Sequence, residues 1–198
     1  MIMIKYPEIP VIRKSGSEKF HINGKTLNFD LLSFWQWSSS DLVNNAMRGI
    51  LAEFIVLSAV GKTDGNRVEW DSYDIETKEG IKVEVKSASY LQSWSQKELS
   101  AIKFSIRPTL GWDFKTNSYS TEIKRQSDVY VFCLLKHKIQ ETLDPLDLNQ
   151  WEFMVMPTLK LSEAVGSQKT ITLKSLQRLN PKIVPYSSLY QTIKMAFR

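Results

Sequence analysis

The sequence is almost devoid of cysteine, and this absence removes several kinds of structure and chemistry. Cys133 is the only cysteine among 198 residues, so the chain cannot form an internal disulfide or a cysteine-based zinc cluster. Cys133 lies in the run Val-Tyr-Val-Phe-Cys-Leu-Leu at positions 129–135, which is apolar on both faces. A free cysteine in such a run is usually a small buried residue, and we expect Cys133 to lie in the core.

Histidine is nearly as scarce. His21 and His137 are the only two histidines, they lie far apart in the sequence, and neither has a partner at metal-ligand spacing. Thiol catalysis, Ser-His-Asp catalysis and zinc-dependent hydrolysis therefore lose their usual residues. Carboxylates, lysine and the backbone remain as the groups available for chemistry.

Long hydrophobic runs are also missing. No apolar run reaches the roughly 18 residues that a membrane span requires. Residues 1–13 carry prolines and charges where a signal peptide would have an unbroken apolar stretch. We therefore expect a cytoplasmic protein that does not enter a membrane. The net charge of +5 permits a polyanionic partner but does not by itself indicate one.

The length favours one domain, residues 1–198, and the chain shows no repeat or low-complexity segment. We interpret residues 1–38 as an N-terminal extension of irregular or β structure and residues 39–198 as the core. Within the extension, two short apolar segments flank Asn23-Gly24, a residue pair favoured in tight turns, so we expect a β-hairpin there.

The core begins with the clearest helical pattern in the sequence. Apolar residues recur at three- and four-residue steps between Val43 and Leu57, which predicts a helix from about Asp41 to Ala59. The serines at positions 38–40 are suitable N-cap residues, and Gly61 suits the C-terminal cap.

Apolar segments that alternate or run continuously predict strands in the middle of the chain, and two helices follow near its end. The predicted strands are Arg67–Trp70, Tyr73–Thr77, Ile81–Lys86, Ala101–Arg107, Asp128–Lys136 and Trp151–Met156, and the predicted helices are Leu173–Leu179 and Ser188–Phe197. Residues 108–127 and 136–150 are predicted to be long loops. This order implies an α/β fold with a central mixed β-sheet flanked by helices.

One predicted hairpin brings two carboxylates together. If residues 78–80 form a three-residue turn with glycine in the left-handed conformation, Thr77 opposes Ile81. The same register places Asp74 opposite Glu84, with Cβ atoms about 4.5–5.5 Å apart. Opposed like charges destabilise a hairpin unless a divalent cation binds between them. A bulge would shift this register by one residue.

Lys86 follows Glu84 by two residues, so its side chain points to the same face, about 6.6 Å along the strand. An ammonium group there can orient an attacking water or stabilise charge on a phosphate. The alternative interpretation is that Lys82, Glu84 and Lys86 form the solvated face of an amphipathic strand.

Glu53 is a further acidic candidate, because it lies in the predicted helix among small and apolar neighbours. A buried carboxylate requires a cation, a hydrogen-bond network or a raised pKa. A position beside Asp74 and Glu84 would meet that requirement. An ion pair with Arg48 or Lys62 is the alternative.

Asp74, the Glu84–Lys86 triplet after a hairpin turn, and a helical Glu53 upstream resemble the PD-(D/E)xK nuclease superfamily, which has the restriction-endonuclease-like fold. The resemblance covers residues 40–90, with Tyr73 at the position of the proline in the motif name. The later strands and helices fit the superfamily's sheet in outline.

The resemblance implies a metal-dependent mechanism and a role for each residue. Asp74 and Glu84 would bind Mg²⁺, with Mn²⁺ as a substitute, assisted by the carbonyl oxygen of Val85. Lys86 would position or activate water, and Glu53 would hold a metal-bound water or a second ion.

Aromatic and basic side chains after the predicted site are candidate nucleic-acid contacts, because aromatic faces stack on bases and cations contact phosphates. These candidates are Trp94, Lys97, Lys103, Arg107, Trp112 and Lys115. The alternative is that the tryptophans pack against the sheet and the basic side chains are merely solvated.

We therefore predict a Mg²⁺-dependent nuclease that hydrolyses phosphodiester bonds, acting on DNA rather than RNA and as an endonuclease rather than an exonuclease. The resemblance suggests restriction, phage defence or DNA processing, with a homodimer as one possible assembly. The alternatives are a catalytically silent nuclease-fold module that binds nucleic acid and a protein-interaction module.

Overall fold

The computed structural model describes residues 6, 9–67, 72–113 and 118–198. The chain divides into two compact units, one of Met1–Ser40 with Asp64–Arg67 and one of Asp41–Thr63 with Val68–Arg198. A single domain with an extension to residue 38 stays a prediction. Within the described ranges, no helix is both long enough and apolar enough to cross a membrane.

The first unit contains the expected hairpin and one helix. Strands β1 (Lys19–Ile22) and β2 (Lys25–Asp30) pair antiparallel, and helix α1 (Leu31–Ser39) follows directly. Asn23 and Gly24 have φ of 48° and 78°, the two positive values that a type I′ turn requires. The hairpin predicted at these residues is therefore confirmed.

The second unit contains the remaining helices and strands. In chain order they are α2 (Asn45–Ala59), β3 (Ile75–Glu76), β4 (Lys82–Ser89), β5 (Lys103–Ser105), β6 (Thr109–Asp113), β7 (Ser118–Lys124), β8 (Val129–Leu135), β9 (Trp151–Pro157), α3 (Thr158–Val165), β10 (Thr170–Thr172), α4 (Leu173–Arg178), β11 (Lys182–Val184) and α5 (Leu189–Phe197).

A five-stranded mixed sheet forms the centre of this unit, in the order β11-β9-β8-β4-β3. Strands β4 and β8 are parallel, and the other neighbours are antiparallel. Apolar side chains of α2 and α5 pack on one face, and those of α3 and α4 pack on the other. The architecture confirms the predicted α/β class with a central mixed sheet flanked by helices.

The two faces of the sheet belong to two separate cores. The α2 core combines side chains of α2 and α5 with Ile75, Val83, Val85, Val129, Val131, Cys133 and Phe153. The α3 core combines side chains of α3 and α4 with Ala88, Phe104, Tyr130, Phe132, Leu134, Met154 and Met156. Successive residues of β8 alternate between the two cores, and all seven are buried, as expected for the central strand. Cys133 is buried as predicted, and burial raises the pKa of its thiol.

Helix α2 begins later than the sequence pattern indicates. The predicted cap at the serines of positions 38–40 is wrong, because Ser38 and Ser39 form the end of α1 and Ser40 is its C-cap. Asp30 is the N-cap of α1, and its side chain accepts a hydrogen bond from the Ser33 N–H. The N-cap of α2 is Asn44, whose side chain accepts a hydrogen bond from the Met47 N–H. Gly61 follows the helix with a φ of 70°, as predicted for the C-terminal cap.

The prediction of a long loop at residues 108–127 is wrong. Strands β6 and β7 form an antiparallel hairpin there, and Trp112 packs edge to face on Tyr119 with ring centroids 4.7 Å apart. Aromatic pairs across strands stabilise hairpins whose other side chains are polar. Residues 136–150 contain only two 3₁₀ turns, in agreement with the loop predicted there.

Other differences from the sequence-based expectation are small. Helix α1 was not expected, because residues 1–38 were predicted to be irregular or β structure, and neither were helix α3 and the short strands β10 and β11. Strands β8 and β9 and helices α4 and α5 lie within a residue or two of their predicted positions. The predicted strand Arg67–Trp70 lies almost entirely outside the described residues.

Candidate nuclease site

The hairpin of β3 and β4 has the predicted register. Ile75 pairs with Val83 and Glu76 with Lys82, and the Thr77 N–H donates a hydrogen bond to the Ile81 carbonyl. The turn needs a left-handed residue, and it has one in the glycine at position 80, with a φ of 81°. No bulge shifts these pairs, but the ladder ends at Ile75 and Val83. The Asp74 N–H donates to the Val83 carbonyl, so Asp74 is not paired with Glu84 in the ladder as predicted.

Asp74 lies beside Glu84 at the edge of the β3–β4 hairpin. Val83 belongs to the α2 core, so Glu84, the next residue of β4, points to the opposite face. Glu84 is aligned with Tyr130 of β8, and Tyr130 belongs to the α3 core. The Glu84 side chain therefore points to the α3 side of the sheet, and Asp74 lies beside it just before the start of β3. Lys86, two residues after Glu84, shares that face.

Strand β4 alternates as its sequence indicates, but its polar face is not fully solvated. Val83 and Val85 are buried, whereas Glu84 and Lys86 are only partly exposed. The side chains of Lys86 and Glu84 retain 27% and 19% exposure. This degree of burial does not fit a simple solvent-facing strand, on which charged side chains would be largely open.

The Asp74 carboxylate is held in place by the neighbouring strand. Its Oδ2 accepts a hydrogen bond from the Val85 N–H at 2.7 Å. Burial, followed by the negative charge of Glu84, raises the pKa of Asp74 to about 6, although Lys86 and the Val85 N–H act in the opposite direction. The backbone therefore fixes Asp74 beside a second carboxylate despite their repulsion.

Lys86 is the cation that this pair of carboxylates attracts. Its Nζ lies 2.5 Å from Oε1 of Glu84. Burial alone would lower the pKa of Lys86, but the charges of Glu84 and Asp74 outweigh burial, so the pKa is raised. Lys86 is thus a protonated ammonium at neutral pH, and it neutralises one of the two carboxylates.

Glu53 approaches this group from a different element. Helix α2 packs on the α2 core, whereas Glu84 and Lys86 point to the opposite face of β4 from Val83 and Val85. The charge of Glu53 nevertheless raises the pKa of Asp74 and the pKa of Lys86, as the least of the causes acting on each. Glu53 therefore acts on the site through its electric field, and its helix is not on the far side of the molecule.

The two cations proposed as alternative partners of Glu53 are engaged elsewhere. Arg48 is 4% exposed and donates hydrogen bonds to the Val43 carbonyl, Asn45 Oδ1 and Gln92 Oε1. Lys62 donates to the Glu76 carbonyl at 2.7 Å. The sequence did not reveal the role of Arg48, whose hydrogen bonds connect the start of α2 to the segment that follows β4.

The donor atoms suit a magnesium ion better than a metal that needs many protein ligands. Among the residues with described positions, no three His, Cys, Asp or Glu side chains are grouped to hold a metal ion. Mg²⁺ typically binds one or two carboxylates and keeps several waters. The Val85 carbonyl is directed to the same side of β4 as the Val85 N–H, hence toward Asp74, and β3 does not extend that far. Asp74, Glu84 and this carbonyl fit such an ion.

The candidate nucleic-acid contacts are mostly exposed. Trp94 is 54% exposed, and Lys97, Lys103 and Arg107 are also open to solvent. Trp112 is half-buried against Tyr119 and is less available for stacking than predicted. Lys115 lies outside the described residues. The roles of these side chains stay predictions.

Tyr130 was not singled out from the sequence, although it lies beside Glu84 across the parallel strands. Its signal in the sequence is weak: it carries the only hydroxyl in the otherwise apolar run at 129–135. The link to Glu84 depends on the pairing of β4 with β8, which a local pattern does not reveal.

Comparison with known proteins gives one family. A family model described as bacteriophage T4 endonuclease IV matches residues 18–175, a range that includes all four residues of the predicted site. No curated protein sequence matches the chain. The matched range covers the whole central sheet apart from β11.

Asp74→Asn should stabilise the metal-free protein at neutral pH. The pKa of Asp74 is raised from 3.8 to about 6, so the folded state binds an extra proton between these values. The associated stability is present below the lower value and is lost as pH rises through the higher one. The variant should gain up to about 3 kcal/mol over wild type above about pH 7 and almost nothing near pH 4.

Urea denaturation in EDTA across this pH range measures the difference. The matched control is Asp128→Asn, because Asp128 Oδ2 accepts a similar hydrogen bond from the Lys82 N–H at the start of the same strand. The control should not reproduce the pH-dependent gain. A lower stability of Asp74→Asn than of wild type at pH 8 would contradict the repulsion between the carboxylates.

Proposed function

Because the chain belongs to the bacteriophage T4 endonuclease IV family and is therefore a nuclease, we propose that it is a Mg²⁺-dependent endonuclease of the PD-(D/E)xK type that cleaves DNA. The proposal places the reaction at Asp74, Glu84 and Lys86, with Glu53 in support. Its context would be restriction, phage defence or DNA processing in the cytoplasm. A homodimer would supply a second site for cutting both strands.

A single observation carries this proposal. Asp74 lies beside Glu84, and a backbone hydrogen bond holds Asp74 in place although its pKa is raised to about 6. A strand that needed only solubility would not retain two partly buried carboxylates side by side. A carboxylate whose pKa is raised by burial and by a second carboxylate is characteristic of functional sites, and a bound cation would offset the repulsion.

Three groups would hold the metal ion. The carboxylates of Asp74 and Glu84 supply two negative charges, and the Val85 carbonyl supplies a neutral oxygen. A bound Mg²⁺ lowers the pKa of water and neutralises charge that develops on a phosphate. Glu53 belongs to a different helix, and its carboxylate is suited to orient a water at the edge of this group.

Lys86 supplies the second positive charge of the site. In the metal-free protein its ammonium pairs with Glu84. When Glu84 turns to a metal ion, Lys86 can release it and donate hydrogen bonds to a phosphate oxygen or to the attacking water. An ammonium group in this position would act as a hydrogen-bond donor to the charge that develops in the transition state.

The exposed side chains after β4 supply a surface for the nucleic acid. Trp94 is suited to stack on a base, and Lys97, Lys103 and Arg107 make no ion pair with any residue that the structure describes, so their charges are available to phosphates. Trp112 is a weaker candidate for stacking, because it is half-buried against Tyr119. The rival function is a silent module that binds nucleic acid through these residues and does not cut it.

Cleavage assays on supercoiled plasmid, linear duplex, single-stranded DNA and RNA test the function. Wild-type protein should cut DNA, including closed circular DNA, in Mg²⁺ or Mn²⁺ and not in EDTA. Glu84→Gln should reduce the rate at least about 100-fold, because one charged ligand is lost. The control is Glu122→Gln, which changes an exposed carboxylate of β7 and should cut normally. Binding of DNA without any cleavage would favour the silent module, and undiminished cleavage in EDTA would rule out the metal.

Lys86→Ala should separate catalysis from metal binding. The loss of one charge that stabilises the transition state should slow single-turnover cleavage about 100- to 1,000-fold. Metal affinity, measured by calorimetry, should be unchanged or higher, because the ammonium no longer competes for Glu84. Lys86→Arg should not restore the rate, because the guanidinium group places its donors differently.

Lys82→Ala is the matched control for Lys86→Ala. Lys82 lies on the same strand face two residues before Glu84, with its Nζ 5.1 Å from the Tyr73 ring centre. This variant should cleave at nearly the wild-type rate. Near-wild-type cleavage by Lys86→Ala would remove Lys86 from the mechanism.

A further inference from the structure

Tyr130 occupies the position on β8 that is directly aligned with Glu84 of β4. Side chains at aligned positions of neighbouring strands project to the same face, about 5 Å apart at their origin. Tyr130 is 3% exposed, and its ring stacks on Phe132 with centroids 5.6 Å apart. Phe132 in turn is aligned with Lys86. Tyr130 and Phe132 therefore lie beside Glu84 and Lys86 on the same face of the sheet.

The hydroxyl of Tyr130 makes no hydrogen bond to any residue that the structure describes. A buried tyrosine hydroxyl usually has a partner, and a phenylalanine would fill the same apolar space without needing one. Within the described part of the chain, Arg48 Nε is the one fully enclosed side-chain nitrogen or oxygen that lacks a partner. The Tyr130 hydroxyl is thus not sealed in the core and remains reachable from the site.

The charges around this hydroxyl make it a hydrogen-bond donor. Burial raises the pKa of Tyr130, and the negative charges of Glu84 and Asp74 raise it further, whereas Arg125 acts in the opposite direction. Arg125 is itself bound by the carbonyls of Ile106, Gly166 and Gln168. The phenol therefore stays protonated, and the negative charges that act on it are the carboxylates of Glu84 and Asp74.

Glu84 needs such a donor once Lys86 leaves it. In the metal-free protein, Lys86 occupies Glu84 Oε1. Carboxylates that bind a metal ion are normally hydrogen-bonded on their remaining oxygen, and this second contact fixes their orientation. If Lys86 turns to the phosphate, the neighbouring strand still offers one donor with no other partner, which is Tyr130.

We propose that Tyr130 is a positioning residue whose hydroxyl donates a hydrogen bond to the Glu84 carboxylate when Lys86 releases it. This inference rests on the proposed function, because it assigns a partner to one of the proposed metal ligands. It goes beyond the Asp-Glu-Lys set, since it gives the central strand a part in the site. Tyr130 touches neither the phosphate nor the water in this arrangement and acts only through Glu84.

Tyr130→Phe tests this role, because it removes the hydroxyl and keeps the ring that stacks on Phe132. Calorimetric titration of Mg²⁺ and Mn²⁺ into nucleic-acid-free protein should show affinity lowered about 10-fold or more, the range seen when a partner of a metal ligand is removed. The melting temperature in EDTA should be unchanged, because the hydroxyl makes no hydrogen bond in the metal-free state.

Tyr186→Phe is the matched control and should show the opposite pattern. The Tyr186 hydroxyl lies 3.0 Å from Ser58 Oγ, so its removal should lower the melting temperature and leave metal affinity unchanged. Glu84→Gln serves as the reference for a lost ligand, with metal binding abolished.

The outcomes of these measurements distinguish the role of Tyr130 from the proposed function. If wild type binds metal, Glu84→Gln does not, and Tyr130→Phe matches wild type, the role of Tyr130 is overturned and the proposed function stands. If Tyr130→Phe loses affinity together with more stability than Tyr186→Phe, Tyr130 is structural and the inference also fails. If wild type binds no divalent cation, the proposed function fails and this inference fails with it.

Discussion

The repulsion between Asp74 and Glu84 is the constraint on which the candidate site depends. Two partly buried carboxylates that lie side by side repel each other, and the fold keeps them together through the β3–β4 hairpin and the bond from the Val85 N–H to Asp74. The protein compensates one charge with Lys86 and leaves Asp74 with a pKa of about 6. A divalent cation would neutralise the negative charge that remains.

The surrounding fold gives this arrangement its rigidity. Strand β4 pairs with β8 from Val83 to Ser89, so a movement of the Glu84 backbone would disturb the hydrogen bonds to β8. Arg48 and Arg125 are buried cations whose described hydrogen bonds all run to neutral oxygens. Each joins segments that are distant in sequence. These two arginines act as structural cross-links, whereas Lys86 remains close to the acidic residues.

Local sequence patterns were enough to predict the hairpin that carries the site. A left-handed glycine, strict alternation in β4 and equal spacing on both sides of the turn determine which residues face each other, and all three are local properties. The burial of Cys133 follows from the same kind of reasoning, because a run that is apolar on both faces fits only a central strand.

Features that depend on contacts between distant segments were not predictable in this way. The alignment of Tyr130 with Glu84 arises from the parallel pairing of β4 and β8, which are separated by the β6–β7 hairpin. The sequence of that hairpin resembles a loop, because it is rich in polar residues. The contact between Trp112 and Tyr119 is not evident from the sequence. The start of α2 was misplaced because two consecutive helices share a serine-rich junction.

The location of a bound metal ion tests the central claim most directly. Crystals grown or soaked with Mn²⁺ would give an anomalous difference map in which the ion is identified by its own scattering. The account predicts one strong peak within about 2.5 Å of carboxylate oxygens of both Asp74 and Glu84 and close to the Val85 carbonyl, with Lys86 Nζ displaced from Glu84. A strong peak elsewhere, with Lys86 still paired to Glu84, would contradict the claim that the two carboxylates form a metal site.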